Sequence, residues 1–486
     1  MERKRPINKV LLIYPPTGYY MRDDRCQAPV EGMTAQPARA PMDLAYMGAV
    51  LEQDGIRCKI RDYPAEGLSW PDLKKDLNDF KPDMLAFSIT TPTLKDDLKA
   101  CKIAKLIDPD IFTVSKGAHY SEEDENIIKD CPELDLIIRG ESEFAISEIV
   151  RSERLSEVLG ITYRSNGNII KAPDRPFLED LDLLPHPARH LLNNNLYLTP
   201  DTNKPIAYIY SGRGCPHQCI YCAVSVASGY KLKARTPKNI VDEIDECVNR
   251  FGIRDFFFRA DTFTMNKDWV IDICKLIIDR GLKIRWGTNS RVDTICEDRL
   301  KWMKDAGCWI IGFGVESGNQ QMLDKMKKRA KIEDAESAVR LCKKFKIKSY
   351  LLFMIGLPWD SKETVDDTIR FAIRLKGDFI DFNIAYPLPG TEFYRIAKEN
   401  NLFNEDMLHR HDYSKPLIKT LYLSTEELIE LRKKAIRAFY LNPGYIFKTL
   451  LGVRSLRELG SYMKAGRDLL FSTPQTSYTD IFHEDL

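Results

Sequence analysis

The first part of the chain alternates short apolar runs with amphipathic stretches whose apolar positions recur every three to four residues. The apolar runs predict strands, and the amphipathic stretches predict helices. Strands are predicted at residues 10–14, 58–63, 84–90, 112–115 and 136–139, and helices at residues 44–53, 73–80, 94–107 and 124–129. This alternation predicts an α/β fold with a parallel sheet covered by helices on both faces, whose ligands lie over the carboxyl ends of the strands.

A second alternation with a longer repeat begins near residue 205 and ends near residue 395. Strands are predicted at residues 207–210, 255–259, 284–288, 309–314, 350–355 and 379–385, and helices at residues 238–250, 267–280, 297–306, 333–345 and 362–375. Six strand–helix units predict an incomplete barrel of the TIM type, a partial (β/α)6 barrel. In such a barrel the chemistry collects at the carboxyl ends of the strands.

With 486 residues, the chain is longer than one hydrophobic core usually supports. The patterns predict a Rossmann-like domain over residues 1–150 and the partial barrel over residues 205–400. Between them, residues 151–204 are punctuated by prolines and are interpreted as a linker. After residue 400 the pattern turns helical, with a capping-box start at Ser424, which predicts a helical carboxyl-terminal region over residues 401–486.

Composition and charge exclude several classes of protein. Hydrophobic residues make up 44% and charged residues 29% of the chain, and the formal net charge is +1, so nothing drives the whole chain toward nucleic acid. No apolar run approaches the length that spans a bilayer, and the first residues do not resemble a secretory signal. We therefore expect a protein of the reducing cytoplasm, whose twelve cysteines are not a disulfide framework.

Three cysteines follow the first predicted barrel strand at close spacing, at Cys215, Cys219 and Cys222. Thiolates are the ligands of iron–sulfur clusters, and a closed cubane uses four of them, so three leave one iron open to substrate. A zinc site is the alternative, and it would need His217 as a fourth ligand. The other nine cysteines lie mostly in apolar runs and are interpreted as core residues.

The spacing of this trio, with Tyr221 just before the last cysteine, resembles the signature of radical S-adenosylmethionine enzymes. The resemblance implies a 4Fe–4S cluster whose open iron is chelated by the amino acid end of S-adenosylmethionine. One electron then cleaves this cosubstrate to a 5′-deoxyadenosyl radical. Such a cluster implies an anaerobic or low-oxygen setting and a low-potential ferredoxin or flavodoxin as the electron donor.

Polar or glycine-rich positions end each predicted barrel strand. By resemblance to the family, Glu316 is the ribose acceptor, Asn289 and Arg291 contact the amino acid and ribose parts of the cosubstrate, and Tyr221 and Gly356 border its adenine. Asp261 is the group that we expect nearest the substrate, although an aspartate that caps the helix at residue 267 would look similar. For each of these residues alone, an exposed or ion-paired loop position is the alternative.

The strand ends of the first domain carry Ser88, Thr90, Gly117, His119, Gly140 and Glu141. Glycine lets the backbone approach a bulky ligand closely. The arrangement resembles the cobalamin-binding domain that precedes the barrel in cobalamin-binding radical S-adenosylmethionine enzymes, which makes these six residues candidate cobalamin contacts. No Asp-x-His-x-x-Gly loop is present, so a protein histidine is not expected below the cobalt. A Rossmann-like module without a cofactor, and for His119 a surface loop position, are the alternatives.

The resemblance implies an enzyme that functionalises an unactivated carbon of a small-molecule or lipid substrate, with methylation as the first hypothesis. Cyclization, ring rearrangement or carbon–carbon coupling by the same radical chemistry is the second hypothesis. A non-catalytic cobalamin or redox sensor is a third, from another class. A radical enzyme that adds sulfur to tRNA is not favoured, because the amino-terminal cysteines are too scattered to form a second trio, and no nucleic acid partner is expected.

Basic and aromatic residues interleave near the carboxyl terminus, for example Lys433, Lys434, Arg437, Tyr445 and Phe447. A helix with a basic face and an aromatic face suits a membrane surface. The alternative is a helix that packs on its own barrel. We therefore expect either ordinary packing or a peripheral contact with the inner membrane surface, and in the second case a hydrophobic substrate.

Overall fold

A computed structural model of the chain describes residues 5–18, 20, 22, 39–117, 120–199, 201–405 and 417–452. The amino-terminal sheet contains seven strands in the order β2-β1-β3-β4-β5-β6-β7. They are β1 (Lys9–Tyr14), β2 (Arg57–Asp62), β3 (Met84–Ser88), β4 (Phe112–Lys116), β5 (Leu136–Ile138), β6 (Ile161–Ser165) and β7 (Asn168–Lys171). The first five strands are parallel, and β6 and β7 are antiparallel to their neighbours.

Helices cover both faces of this sheet, as the apolar pattern predicts. They are α1 (Met42–Gln53), α2 (Tyr63–Glu66), α3 (Trp70–Phe80), α4 (Leu94–Asp97), α5 (Lys99–Ile107), α6 (Tyr120–Asp130) and α7 (Glu143–Arg151). All residues of β3, β4 and β5 are buried, because these strands have helices on both sides. Two separate apolar clusters result, one on each face.

The amino-terminal sheet continues past residue 150, into the segment that the sequence pattern assigns to a linker. Strands β6 and β7 form a hairpin whose two turn residues, Asn166 and Gly167, have φ angles of 48° and 81°. An Asn-Gly pair suits such a turn because both central residues need positive φ. The sheet therefore ends at Lys171, and the prolines that follow it mark only the later part of the predicted linker.

The second sheet has the order β15-β14-β13-β12-β11-β8, with every neighbouring pair parallel. Its region contains β8 (Ile206–Tyr210), β9 (Gly212–Arg213), β10 (Lys233–Ala234), β11 (Asp255–Arg259), β12 (Arg285–Arg291), β13 (Cys308–Glu316), β14 (Lys348–Ile355) and β15 (Phe379–Ile384). Strands β9 and β10 form a separate antiparallel pair. The six parallel strands are the predicted partial barrel, with β8 and β15 as its edges.

Helices alternate with these strands and enclose the largest apolar cluster. They are α8 (Val224–Ala227), α9 (Pro237–Phe251), α10 (Lys267–Asp279), α11 (Glu297–Asp305), α12 (Gln320–Lys325), α13 (Ile332–Lys344), α14 (Lys362–Leu375) and α15 (Glu392–Glu399), followed by α16 (Thr425–Tyr440) and α17 (Pro443–Gly452). Arg432 of α16 donates to the carbonyl of Phe382 at 2.7 Å, so the carboxyl-terminal region packs on the barrel edge. Within the described part of the chain, no helix is long and apolar enough to cross a membrane.

Buried charged residues join the linker to the barrel. Arg189 donates to Glu243 of α9 and to the carbonyl of Tyr208 in β8, both at 2.6 Å. The Arg189 and Glu243 side chains are 2% and 1% exposed, and Arg235 bonds the second oxygen of the same carboxylate. Because a buried charge is costly unless it is paired, this three-residue cluster favours one arrangement of linker and barrel.

Candidate active site

The three clustered cysteines lie in the loop between β9 and α8, just past the carboxyl end of β8. Cys215, Cys219 and Cys222 are half-buried and are not in disulfides. In the described residues no three Cys, His, Asp or Glu side chains converge as the ligands of a single metal ion would. A cubane takes its protein thiolates one to an iron, so the three cysteines of this one loop suit three of its irons and leave the fourth open.

Asp261, after β11, fastens the beginning of the cluster loop. Its Oδ2 accepts the backbone N–H of Gly214 at 2.5 Å, and Cys215 Sγ lies 3.7 Å from the Thr262 hydroxyl. Gly214 has a φ of +85°, and a Cβ there would lie 2.0 Å from the Lys231 carbonyl, so only glycine fits. Asp261 therefore lies beside the cluster loop, and its place nearest the substrate stays a prediction.

The helix that follows Asp261 has a different cap. The Asn266 side chain accepts the backbone N–H of Trp269 at 3.2 Å, and it is the N-cap residue of α10. The interpretation of Asp261 as a capping aspartate is therefore wrong.

Tyr221 and Glu316 meet at the carboxyl end of β13, and Lys328 joins them. Lys328 Nζ lies 2.8 Å from Glu316 Oε1 and 3.4 Å from the Tyr221 hydroxyl. Burial and the Glu316 charge raise the pKa of Tyr221 well above its usual value, so this phenol stays protonated. Glu316 has a φ of 67°, in the left-handed region. Residues other than glycine are uncommon there, and those that do occur are often found at functional sites.

Arg291 and Asn289 lie on β12, beside this group. Arg291 donates to both oxygens of Asp293, at 2.9 and 2.7 Å, and to the backbone carbonyl of Lys328 at 2.7 Å. The Asn289 side chain lies over the neighbouring strand at Gly312, where a Cβ would come within 2.4 Å of its Oδ1. The predicted contacts Tyr221, Asn289, Arg291 and Glu316 are thus brought to one edge of the barrel.

Gly356 follows β14 in a left-handed conformation, with a φ of +93°. Its N–H and that of Leu357 donate to Asp360 Oδ2 at 2.8 and 3.0 Å. Leu357 packs in the same apolar cluster as Ile220 and Tyr221. The turn therefore places backbone and apolar side chains next to the cluster loop, which suits the flat ring of adenine.

Ser88 and Thr90 at the first sheet's carboxyl edge are buried and bonded within their own domain. Ser88 donates to Asp43 Oδ2 at 2.5 Å, and Lys116 and Tyr14 hold the same carboxylate. The Thr90 hydroxyl pairs with that of Thr93 at 2.7 Å. Through these hydrogen bonds, Ser88 and Thr90 hold the backbone at the carboxyl edge of the first sheet.

The loops after β4 and β5 carry the other candidate cobalamin contacts. A Cβ on Gly117 would lie 2.9 Å from the Ile89 side chain, whereas one on Gly140 would have no heavy atom within 4 Å. Glu141 accepts from the backbone of Leu178 at 2.6 Å and from Arg213 at 3.0 Å. His119 lies outside the described residues. The open backbone at Gly140 fits the close approach of a broad ligand.

The carboxyl edges of the two sheets face each other. Arg213, two residues before Cys215, forms ion pairs with Glu141 and Glu143 of the first domain. The rings of Tyr46 and Tyr210 lie 6.2 Å apart across the domain junction. A cofactor over the first sheet would therefore lie beside the cluster loop of the second.

Lys328 is the residue of this site that the sequence does not reveal. It lies in a charged stretch, Lys325-Met-Lys-Lys-Arg329, which is typical of a solvated surface. In the structure it is 5% exposed. The positive φ angles of Lys327 and Arg329, 55° and 54°, turn this part of the loop so that Lys328 is buried while its charged neighbours Lys327 and Arg329 stay exposed.

Comparisons with known proteins agree with this geometry. The Radical SAM superfamily model matches residues 209–372, and the B12 binding domain model matches residues 34–150. The chain is 32% identical over 448 residues to an uncharacterized methyltransferase of Pyrococcus horikoshii, covering 91% of this chain and 95% of that relative. It is 26% identical over 452 residues to the anaerobic magnesium-protoporphyrin IX monomethyl ester cyclase of Cereibacter sphaeroides, covering 88% and 72%.

A solved structure shares the fold of both domains. The cobalamin-dependent S-adenosylmethionine radical enzyme OxsB, with aqua-cobalamin and S-adenosylmethionine bound, superposes with a TM-score of 0.71 at 16% identity, covering 98% of this chain and 74% of that one. Together with the family matches, this likeness confirms the predicted order of a cobalamin-binding domain followed by a radical barrel. The chain belongs to the family of cobalamin-binding radical S-adenosylmethionine enzymes, which use a 4Fe–4S cluster, S-adenosylmethionine and cobalamin.

Proposed function

We propose that this enzyme methylates an unactivated carbon by radical chemistry. Cys215, Cys219 and Cys222 would hold the cluster, which when bound supplies the electron that splits S-adenosylmethionine. The single observation that carries the proposal is the convergence of the cluster loop with Tyr221, Arg291 and Glu316 at one end of the barrel. Cobalamin, when bound, supplies a methyl group.

The residues at this edge divide the binding of the cosubstrate between them. Arg291, Asn289 and Glu316 would take its amino acid and ribose groups, and Tyr221 and Gly356 would border adenine. A carboxylate accepts ribose hydroxyls, and a buried turn excludes water from the adenine. In the first domain, Gly117, His119, Gly140 and Glu141 would line the cobalamin, with Ser88 and Thr90 beneath them.

Asp261 is the proposed catalytic residue, because it follows β11 beside the cluster loop. Its bond to Gly214 fixes the carboxylate beside the cluster loop, where the substrate carbon would meet the deoxyadenosyl group. A carboxylate there can also orient a polar group of the substrate.

The similarity to a methyltransferase over 91% of the chain supports methyl transfer as the first hypothesis. The similarity to a cyclase over 88% of the chain supports cyclization without net methyl transfer as the second. The two hypotheses differ in their products. Methylation consumes a second S-adenosylmethionine to restore the methyl group on cobalamin, and so releases S-adenosylhomocysteine together with 5′-deoxyadenosine.

The test is product analysis on anaerobically reconstituted full-length protein with cobalamin, reductant and methyl-labelled S-adenosylmethionine. An extract of the source cells, freed of protein, serves as the substrate pool. Methylation predicts equal amounts of 5′-deoxyadenosine and S-adenosylhomocysteine and label in one extracted compound. 5′-Deoxyadenosine with no S-adenosylhomocysteine would support cyclization. The absence of both products would contradict both hypotheses.

The electron donor follows from the chemistry of the cluster. Cleavage of a sulfonium needs a strongly reducing electron, so we propose a low-potential ferredoxin or flavodoxin of the cytoplasm as the partner. Either protein, reduced, should replace the chemical reductant in the assay above. Turnover with dithionite but with neither protein would argue against this partner class.

We propose further that helix α17 contacts an anionic membrane surface, from which the enzyme takes a hydrophobic substrate. Tyr445 fastens one face of the helix by donating to the Asp378 carbonyl at 3.0 Å. The opposite face exposes Ile446, Phe447, Leu450 and Leu451, which are 41% to 74% exposed. Apolar side chains next to basic ones suit the boundary between headgroups and acyl chains.

Vesicle flotation tests the membrane contact. The full chain should float with vesicles that contain anionic lipid, and the double substitution Phe447→Asp with Leu451→Asp should abolish this. Leu106→Asp is the control, because Leu106 is 83% exposed on the first domain. Unchanged flotation of the double variant, or dimerization through this face in place of flotation, would refute the contact.

A further inference from the structure

Lys328 touches three of the residues to which the proposed function assigns the cosubstrate. Its side chain reaches Glu316 at 2.8 Å and the Tyr221 hydroxyl at 3.4 Å, and its backbone carbonyl accepts from Arg291 at 2.7 Å. The first two partners lie on the barrel end and the cluster loop, which are far apart in sequence. One lysine therefore links the cluster loop to the ends of β12 and β13.

The surroundings of Lys328 provide a buried partner of opposite charge and the space for the pair. Its side chain is 7% exposed and that of Glu316 is 11% exposed. Gly314 leaves the room that the pair occupies, because a Cβ there would lie 2.5 Å from Glu316 Oε1 and 2.9 Å from Lys328 Nζ. Burying two charges costs several kcal/mol in desolvation, which their attraction offsets only with good geometry, so such a pair is weak evidence for a purely stabilising role.

The backbone on both sides of the pair is also unfavourable. Glu316, Lys327 and Arg329 all have φ angles between 54° and 67°. Each non-glycine residue in this region costs of order 1 kcal/mol, and such conformations cluster where structure serves a ligand. These unfavourable conformations accompany the contact between Lys328 and Glu316 beside the cluster loop.

We propose that Lys328 is a positioning residue that orients Glu316 toward the ribose of S-adenosylmethionine and provides the counter-charge for the reduced cluster. A carboxylate has about four sites that accept hydrogen bonds. Lys328 occupies one of them and fixes the rotamer, which leaves sites for the two ribose hydroxyls. This inference rests on the proposed function of the cysteine trio.

The second part of the proposal follows from charge. Three thiolates with their cluster are anionic, and one more electron increases that charge. A cation held within the low-dielectric interior beside the cluster loop, 3.4 Å from the Tyr221 hydroxyl, favours the reduced state. Burial lowers the pKa of Lys328, but the Glu316 carboxylate and, to a smaller extent, the Cys219 thiolate raise it, and the pKa rises on balance, so the lysine keeps its charge.

The test compares Lys328→Met, which removes the charge, with Lys328→Arg, which keeps it, in reconstituted full-length protein. We expect Lys328→Met to weaken S-adenosylmethionine binding at least ten-fold in equilibrium dialysis and to move the cluster midpoint potential to more negative values in an EPR-monitored titration. Lys328→Arg should keep the potential near that of the wild type. The control is Lys327→Met, because Lys327 pairs with Glu392 at the surface and is 48% exposed.

Iron content and circular dichroism are measured first, because Lys328→Met leaves a buried carboxylate without its partner. If that variant does not fold, Lys328→Met with Glu316→Gln removes both charges of the pair, and its cluster midpoint potential should be more negative than that of Glu316→Gln alone. Cosubstrate affinity within two-fold of the wild type, together with an unchanged potential, in a folded variant would overturn the inference. Wild-type protein without iron would instead overturn the proposed function of the trio.

Discussion

The carboxylate of Asp261 illustrates how one side chain can hold a metal-binding loop. It accepts the N–H of Gly214, and Gly214 cannot carry a side chain because the Lys231 carbonyl is too close. The loop that begins with Cys215 is thus fixed at its start by one polar contact and one steric contact. Loss of either contact should loosen the loop before it changes the chemistry.

We therefore predict that Asp261→Ala lowers the iron and sulfide content of the protein and speeds cluster loss to a chelator, whereas Asp261→Asn does neither. An asparagine keeps an oxygen that accepts from Gly214, while alanine leaves a donor without its partner at a cost of about 1 to 3 kcal/mol. If Asp261 also serves the substrate, Asp261→Asn will hold a full cluster but turn over slowly. Full iron content in Asp261→Ala would show that the hydrogen bond between Gly214 and Asp261 is not needed to hold the cluster.

At the scale of single residues, the sequence predicts candidate ligands but not the residues that support them. The cysteine spacing is a local pattern, and so is the position of Glu316 at a strand end. Lys328 is different, because its burial depends on a turn with two unusual φ angles that no composition rule predicts. Its role becomes visible only when β13 and the cluster loop are placed side by side.

The turn after β14 contains a carboxylate whose burial is electrostatically unfavourable. Asp360 accepts the N–H groups of Gly356 and Leu357 and lies 4% exposed. Burial raises the pKa of Asp360 to about 6, against the hydrogen bonds that favour the carboxylate. At neutral pH the turn therefore contains a buried anion.

A pH dependence follows for this turn. The folded pKa is about 6 and lies above the usual value of about 3.9 for an unfolded chain, so the folded state binds the proton more tightly, and stability falls as pH rises between these values. We predict that Asp360→Asn, which has no charge to bury, gains about 1 to 3 kcal/mol relative to the wild type between pH ~4 and pH ~8. Urea denaturation of both proteins at the two pH values checks this. A difference that does not vary with pH would contradict it.

At the scale of elements, the hydrophobic pattern is enough for most of the fold. The central strands β3, β4 and β5 are buried on both faces, which favours apolar residues along them, and the helices carry clear amphipathic spacing. The pattern does not predict the hairpin of β6 and β7, because its strands are short and partly polar. The Asn166-Gly167 pair is the local signal that could have revealed it.

The relation between the two domains is the main property of the whole molecule. Arg213 belongs to the barrel, and its partners Glu141 and Glu143 belong to the first domain. All three side chains are at most 16% exposed. The ion pairs thus connect the cluster loop to the loop after β5, where cobalamin is proposed to bind.

We predict that Arg213→Met destabilises the protein by about 3 to 5 kcal/mol, because it leaves two buried carboxylates without their cation. It should also weaken cobalamin binding, measured by absorbance titration. Lys231→Met is the control: its bond to Glu179 is at the surface, 73% and 63% exposed, where solvent screens the charges, so its loss should leave stability nearly unchanged. Equal effects of the two substitutions would contradict a coupling between the domains.

At this scale the sequence predicts the order of the domains but not how they meet. The two domains meet through Arg213 with Glu141 and Glu143, and the linker meets the barrel through Arg189 and Glu243. In the sequence they are ordinary charged residues, and their burial depends on the packing of distant segments. Physical pattern rules describe single elements well and contacts between domains poorly.

Iron content and EPR spectra of anaerobically purified full-length protein test the central claim most directly. We predict a reduced 4Fe–4S signal that changes when S-adenosylmethionine is added, and its loss in Cys219→Ser but not in Cys296→Ser, a half-buried cysteine outside the trio. Protein without iron, a signal that S-adenosylmethionine leaves unchanged, or a full cluster in Cys219→Ser would contradict the claim that three cysteines hold a cluster with one open iron.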